Sequence, residues 1–245
     1  MLRKTKLSLI IFITLIELGA KPCFAYPYAV MLSGGPAWTD AGNTQTFFLK
    51  SDVQNTYHAD NKTTTLRTGE LFLGYHRPLN TYLHGLWGVT IAGSGTAKPS
   101  GEIWQDADST YNNFDYSYRI YQVRLALKGK LIALQNPWTQ IIQPYISGSL
   151  GVGWNTAYDY IATPKITEAI PAPAFRDHTR TSFSYTAGIG IQKSLNPNWQ
   201  VGIGYELADW GSSSLSNAPG QTLNSGLSLG HLYTHELQFS LSYTA

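Results

Sequence analysis

The side chains of this chain that could do chemistry are six histidines, the acids beside them, and a set of charges embedded in otherwise apolar stretches. His231 and His235 stand four apart. On a helix that spacing brings two imidazoles to one metal ion, but on a strand it covers about 13 Å, too far for one ion. Asp177-His178 and the pair His58 and Asp60 set a carboxylate beside an imidazole, the beginning of a general base. No serine stands in a recognisable nucleophile setting next to either, and a base without an arranged nucleophile is not a mechanism. The glycine-rich pieces GSLGVG (148–153) and GSGTAKPSG (93–101) lack Gly-Lys-Ser/Thr and do not lead into a helical pattern, so neither reads as a phosphate loop. The expectation is no catalytic residue, no cofactor and no resident metal.

The elements that must position these groups are strands. From Phe183 to Gly211 the chain reads FSYTAGIGIQKSLNPNWQVGIGYELADWG, two alternating runs joined by Asn-Pro-Asn. Phe183, Tyr185, Ile189 and Ile191, then Trp199, Val201, Ile203 and Tyr205, share one face, because side chains alternate along a strand. The opposite face is small, polar and almost uncharged. A soluble sandwich would carry Lys and Glu there. A narrow barrel lumen with lipid on the other side would not. Similar alternation recurs at 28–37, 66–77, 82–93, 116–130, 143–156, 180–193, 199–210 and 232–244. Eight strands, an even number, close an antiparallel barrel without edges. The connections 78–80, 133–139 and 196–198 are short, as periplasmic turns are. Segments 38–65, 94–115, 157–179 and 211–231 are long and face outward. Phe47, Phe48 and Leu49 mark a possible extra hairpin and a ten-stranded alternative, and 211–226 is polar enough to be expected mobile.

This arrangement gives the charges a place. Counted from the periplasmic turns, Glu70, Arg124, Glu206 and Glu236 fall at one level with the inward phase, and Arg119 and Lys128 are expected one or two layers away. His84 points inward near the lower end. Three carboxylates facing three cations predict a salt-bridged plug centred on Arg124 with Gln122 and Gln238, since a desolvated charge persists only when paired. An ion or proton path is the functional alternative. Rings that tolerate both lipid and water should gather at the two interfaces: Trp138, Trp199 and Tyr243 at the periplasmic rim, and Trp38, Trp154 and Trp210 at the outer one.

Composition agrees with this picture. Charged residues make up 13% of the chain, against about 25% in soluble domains. Residues 1–25 read as a secretory signal peptide, with Arg3, Lys4 and Lys6 before an apolar run and Cys23-Phe24-Ala25 at the cleavage site. Residues 26–245 then form the barrel domain. Removing the leader takes four of the 17 basic residues and one of the 15 acidic ones, leaving 13 against 14, which gives no reason to expect nucleic acid. The same cut removes Cys23, the single cysteine, and with it disulfides and thiol chemistry.

The run AGIGIQKSLNPNWQVGIGYELADWG resembles the sixth and seventh strands of the eight-stranded outer-membrane barrels grouped around the OmpA transmembrane domain, OmpX and the opacity proteins. ELFLGYHRPLN and HELQFSLSY are similar to their second and last strands. The resemblance implies an outer-membrane location in a Gram-negative bacterium, contact with outer-membrane lipid and lipopolysaccharide, insertion by the barrel assembly machinery, and a lumen closed by ion pairs. The terminal aromatic, Tyr243, is displaced by two residues from the chain end. The functional expectation is a non-enzymatic barrel whose surface loops serve adhesion, host interaction or envelope integrity. A narrow pore like OmpW is the second reading, and a lipid-modifying or proteolytic enzyme the third.

Overall fold

A computed structural model of the protein describes residues 27–60, 62–134, 142–167 and 174–245. The expected signal peptide and Trp138 lie outside the described residues. Eleven strands are present among them: β1 (Tyr28–Asp40), β2 (Gln45–Lys50), β3 (Val53–Ala59), β4 (Thr63–Asn80), β5 (Leu83–Ser94), β6 (Ser100–Gln105), β7 (Asn112–Ala133), β8 (Gln143–Pro164), β9 (His178–Ser194), β10 (Trp199–Ser214) and β11 (Ser228–Thr244).

Eight of them, β1, β4, β5, β7, β8, β9, β10 and β11, form a closed antiparallel ring, each paired with the next and β11 pairing back onto β1. The remaining three do not enlarge the ring. β5 leaves β7 at Gly93 opposite Val123, and above that point β6 takes its place along Asn112–Ser117. β3 pairs with β6 and β2 with β3, so a four-stranded wing rises from the barrel wall. The hairpin marked by Phe47–Leu49 therefore exists, and it is added outside an eight-stranded ring.

Alternation sets what each face meets. On β7 the even-numbered residues from Phe114 to Ile132 point inward and are buried, while Tyr121, Leu125 and Leu127 point outward and are exposed. Leu127 is 71% exposed, with Leu150, Phe183, Ile189 and Phe239 exposed around the same belt. From Tyr121 to Leu131, ten steps of about 3.3 Å at about 40° of tilt span about 25 Å, the height of a hydrocarbon band. An apolar surface of this extent is tolerable only against lipid.

Inside, two apolar clusters sit at the ends. Ala29, Met31, Phe72, Leu86 and Ile132 fill the periplasmic end. Tyr57, Ile103, Phe114, Ile120, Leu215 and Leu227 belong to a larger cluster between the outer rim and the loops. The segment 211–226 is thus not the loose stretch its polarity suggests. Leu215, Ala218 and Leu227 are buried, and Leu215 N–H donates to the Leu227 carbonyl at 2.8 Å. A few apolar anchors in a polar sequence are enough to fasten it as a roof. Below them Tyr145 crosses the lumen floor against Gly190 and Gly204, where a Cβ would collide with its ring.

Candidate functional site: the lumen and the outer wing

Between the apolar ends lies a layer of buried charge. β4 supplies Glu70, β7 Arg124 and Lys128, and β10 Glu206, all by inward alternation. Arg124 Nη2 donates to Glu70 Oε2 and to Glu206 Oε1, each at 3.1 Å. Lys128 Nζ donates to the other oxygen of each acid, to Glu206 Oε2 at 2.9 Å and to Glu70 Oε1. Two cations and two carboxylates thereby close a cycle in which every member bridges both members of opposite sign. All four side chains are 3% exposed or less. Each of the four ions thus meets both ions of opposite sign, which offsets the loss of water, although Arg124 Nε and Nη1 make no hydrogen bond to the described residues.

Glu236 stands beside the cycle and is held by hydroxyls and an amide. Its oxygens accept from Thr234 Oγ1 at 2.7 Å, Thr68 Oγ1 at 3.0 Å and Gln238 Nε2 at 3.1 Å, and Gln238 also reaches Glu206 at 3.3 Å. Gln122 is wholly buried next to Arg124, but its amide makes no hydrogen bond to the described residues.

Two expected residues are elsewhere. Arg119 is not in the lumen: it is five residues from Arg124, so alternation alone turns it to the opposite face. Its side chain is 51% exposed and pairs with Asp159 at 3.3 Å. The third buried basic side chain among the described residues is Lys130, which shares the inward parity of Lys128. Its Nζ sits 3.8 Å from the centre of the Tyr145 ring and 3.9 Å from Met31 Sδ. Trp210 is not a girdle residue either. It has the even parity of the inward set on β10 and lies within the register shift against β11 between Asp209 and Ser212. Fully buried, it lies 4.7 Å under the Arg124 guanidinium, and its indole N–H donates to Thr234 Oγ1 at 2.9 Å. Trp38, Trp154 and Trp199 do face outward, and Trp199 packs edge-on against Tyr243 with ring centres 5.1 Å apart.

The histidines at the outer rim have separate partners. His231 Nδ1 contacts Asp209 Oδ2 at 2.8 Å, whereas His235 is bound to the Tyr205 hydroxyl. His178 lies 3.4 Å from Ser214 Oγ, but the Asp177 carboxylate is turned away, accepting the Asp159 N–H at 3.1 Å. His58 stacks on Trp104 with ring centres 4.7 Å apart, and the Asp60 carboxylate accepts from Lys62 and Ser100 instead. Each acid suggested by sequence adjacency is thus engaged away from its histidine.

On the wing, Lys165 Nζ reaches Glu102 at 2.8 Å and Asp115 at 3.2 Å, tying the end of β8 to β6 and β7. The hydrogen bond from Lys165 is the main reason the Glu102 carboxyl is held down at about 2. A lowered carboxyl pKa adds stability above the unfolded value near 4.5, and that contribution is lost as pH falls through about 2. The pair is solvent-screened, so its worth is under about 1 kcal/mol. Limited proteolysis of the wing should accordingly quicken between pH 4.5 and 2 in the native chain, and Lys165→Ala should show the faster rate at neutral pH already. Equal rates for both chains at pH 7 would contradict this.

No curated protein matches the sequence. Among solved structures, OprG from Pseudomonas aeruginosa is 13% identical over 90% of this chain and 97% of that one, with a TM-score of 0.46. The outer-membrane protease OmpT from Escherichia coli is 8% identical over 90% and 97%, with a TM-score of 0.46. Neisserial surface protein A is 10% identical over 89% and 96%, with a TM-score of 0.43. None of these likenesses bears on activity. The family model described as the outer membrane protein beta-barrel domain matches residues 28–244, nearly the whole of the described barrel, and the chain belongs to that family of Gram-negative outer-membrane proteins.

Proposed function

We propose that this is a non-enzymatic outer-membrane barrel whose folded outer wing makes contacts with host or surface molecules, on a scaffold whose lumen is sealed by the ionic cycle. The observation that carries the reading is the wing itself. Its strands continue the barrel sheet and rest on a shared apolar cluster, so the exposed side chains Phe48, Tyr111 and Ile166, with Trp104 on β6, are held on a firm base. Binding residues placed on rigid scaffolds lose little entropy when a partner docks. The narrow-pore reading is disfavoured by the stacking of apolar, ionic and apolar layers along the axis. In this account lipopolysaccharide and phospholipid surround the belt, the barrel assembly machinery inserts the chain, and residues 1–25 are the leader that delivers it.

The test is attachment of cells displaying the protein to host cells or matrix. Aromatic anchors in interfaces contribute about 1 kcal/mol or more each. Replacing Phe48, Trp104 and Tyr111 together by Ser should therefore lower attachment severalfold while surface display stays level. Undiminished attachment by the triple variant would remove the wing from the account.

A further inference from the structure

The periplasmic mouth carries a pair of imidazoles that the sealed lumen above does not use. His76 on β4 and His84 on β5 both point inward and lie diagonally across the hairpin, His84 opposite Pro78 and His76 opposite Leu86. His76 Nε2 and His84 Nδ1 face each other at 2.9 Å, with ring centres 4.8 Å apart. Both rings are partly buried, with the Phe72 and Leu86 layer above them and the periplasm below.

The hairpin that holds them is tight. Its turn is fixed by Asn80 Oδ1, which accepts the Tyr82 N–H at 2.8 Å, and the His76 N–H donates to the Pro27 carbonyl at 2.9 Å. The two nitrogens are therefore brought together by the backbone, with little freedom left to lose on binding.

Two imidazole nitrogens 2.9 Å apart can share a proton, and a modest turn of the rings that makes both lone pairs converge lets them share a metal ion instead. Cis positions on a tetragonal Cu²⁺ at about 2.0 Å lie about 2.8 Å apart and tetrahedral bonds of about 2.0–2.1 Å about 3.4 Å apart, so the 2.9 Å separation needs little or no parting of the rings. Imidazole suits copper, nickel and zinc, and Cu²⁺ should bind most tightly in the first-row order. We propose that His76 and His84 form a two-histidine site for a divalent transition metal at the periplasmic mouth, with water from the periplasm completing the coordination. Among the described residues no group of three potential histidine, cysteine or carboxylate ligands exists, which sets this two-histidine site apart from a dedicated metal centre. It would act as an exchangeable site for metal arriving from the periplasm.

The experiment uses the tag-free barrel refolded in detergent micelles at pH 7.5, with Cu²⁺ alone as the probe. Titration should show one site per chain, and its electron paramagnetic resonance spectrum should carry splitting from two nitrogens. Since loss of even an outer-shell partner costs 10–100-fold in affinity, His76→Ala and His84→Ala should each weaken binding at least about tenfold. His231→Ala with His235→Ala should leave it unchanged. His76→Asn and His84→Gln serve as milder replacements, and heat-modified gel mobility verifies closure of every variant. Retention of the same site in the His76→Ala/His84→Ala double variant, its transfer to the His231 and His235 region, or no Cu²⁺ binding by the native chain would each overturn the proposal.

Discussion

Arg124→Ala should lower the unfolding free energy of the refolded barrel by about 3–5 kcal/mol, the cost of breaking a buried ion pair from one side. The size follows from what is left behind. Glu70 and Glu206 would share Lys128 alone, and Trp210 would lose the guanidinium that lies over its ring. A urea titration followed by gel mobility and tryptophan fluorescence measures it. The effect belongs to the unpaired charges and not to the site as such, so removing the whole cycle should be far milder. Glu70→Leu, Glu206→Leu, Arg124→Met and Lys128→Met combined should return stability to near the native value or above it, as apolar replacements of complete buried pairs often do. If Arg124→Ala shifted the urea midpoint by no more than a surface substitution does, the layer would not be dry and the sealed-lumen account would fail.

The second large effect lies on the opposite face. Leu127 is 71% exposed on the outside of β7, and in a water-soluble protein its replacement by Arg would change stability by a few tenths of a kcal/mol. Near the middle of a hydrocarbon belt the same change costs about 2–4 kcal/mol, and it declines toward the interfaces. Leu127→Arg should therefore be strongly destabilising in phospholipid vesicles. Ser117→Arg on the same strand lies above the belt and should be nearly silent. Equal effects at the two positions would mean that depth in the membrane is not what β7 experiences.

Much of this was legible in the alternation. The eight-stranded ring, the outward stripe and the convergence of Glu70, Arg124, Lys128, Glu206 and Glu236 all follow from a period of two and a few short turns. The same rule corrects two expectations: Arg119, read as sharing the inward phase of Lys128, is odd-numbered on a strand whose inward residues are even, and Trp210, expected at the outer rim, has the inward parity of β10. Lys130, two residues beyond Lys128, had the inward phase all along. His76 was equally within reach, since the tight turn after Asn80 fixes the β4–β5 register and sets it diagonally across from His84.

What alternation does not encode is the wing. β6 replaces β5 beside β7 only because β5 ends at Ser94 while β7 continues to Asn112. That exchange depends on strand lengths and on side chains distant in sequence, such as Tyr57 against Tyr116 and Phe175. The roof formed by Leu215 and Leu227 is long-range in the same sense. The apolar residues Leu215, Ala218 and Leu227 in a polar stretch have no period, and only the cluster they join shows where they go.

The most direct measurement of the account places nitroxide labels on single cysteines at Leu150, Ile189 and Ile203 and at Tyr111 on the wing, in residues 26–245 reconstituted into phospholipid vesicles. Collision with oxygen should exceed collision with a water-soluble nickel complex at the three belt positions, and the order should reverse at Tyr111. Ready access of the nickel complex to the belt positions would contradict an outward face turned to lipid, and the dry ionic lumen inferred from it would fall as well.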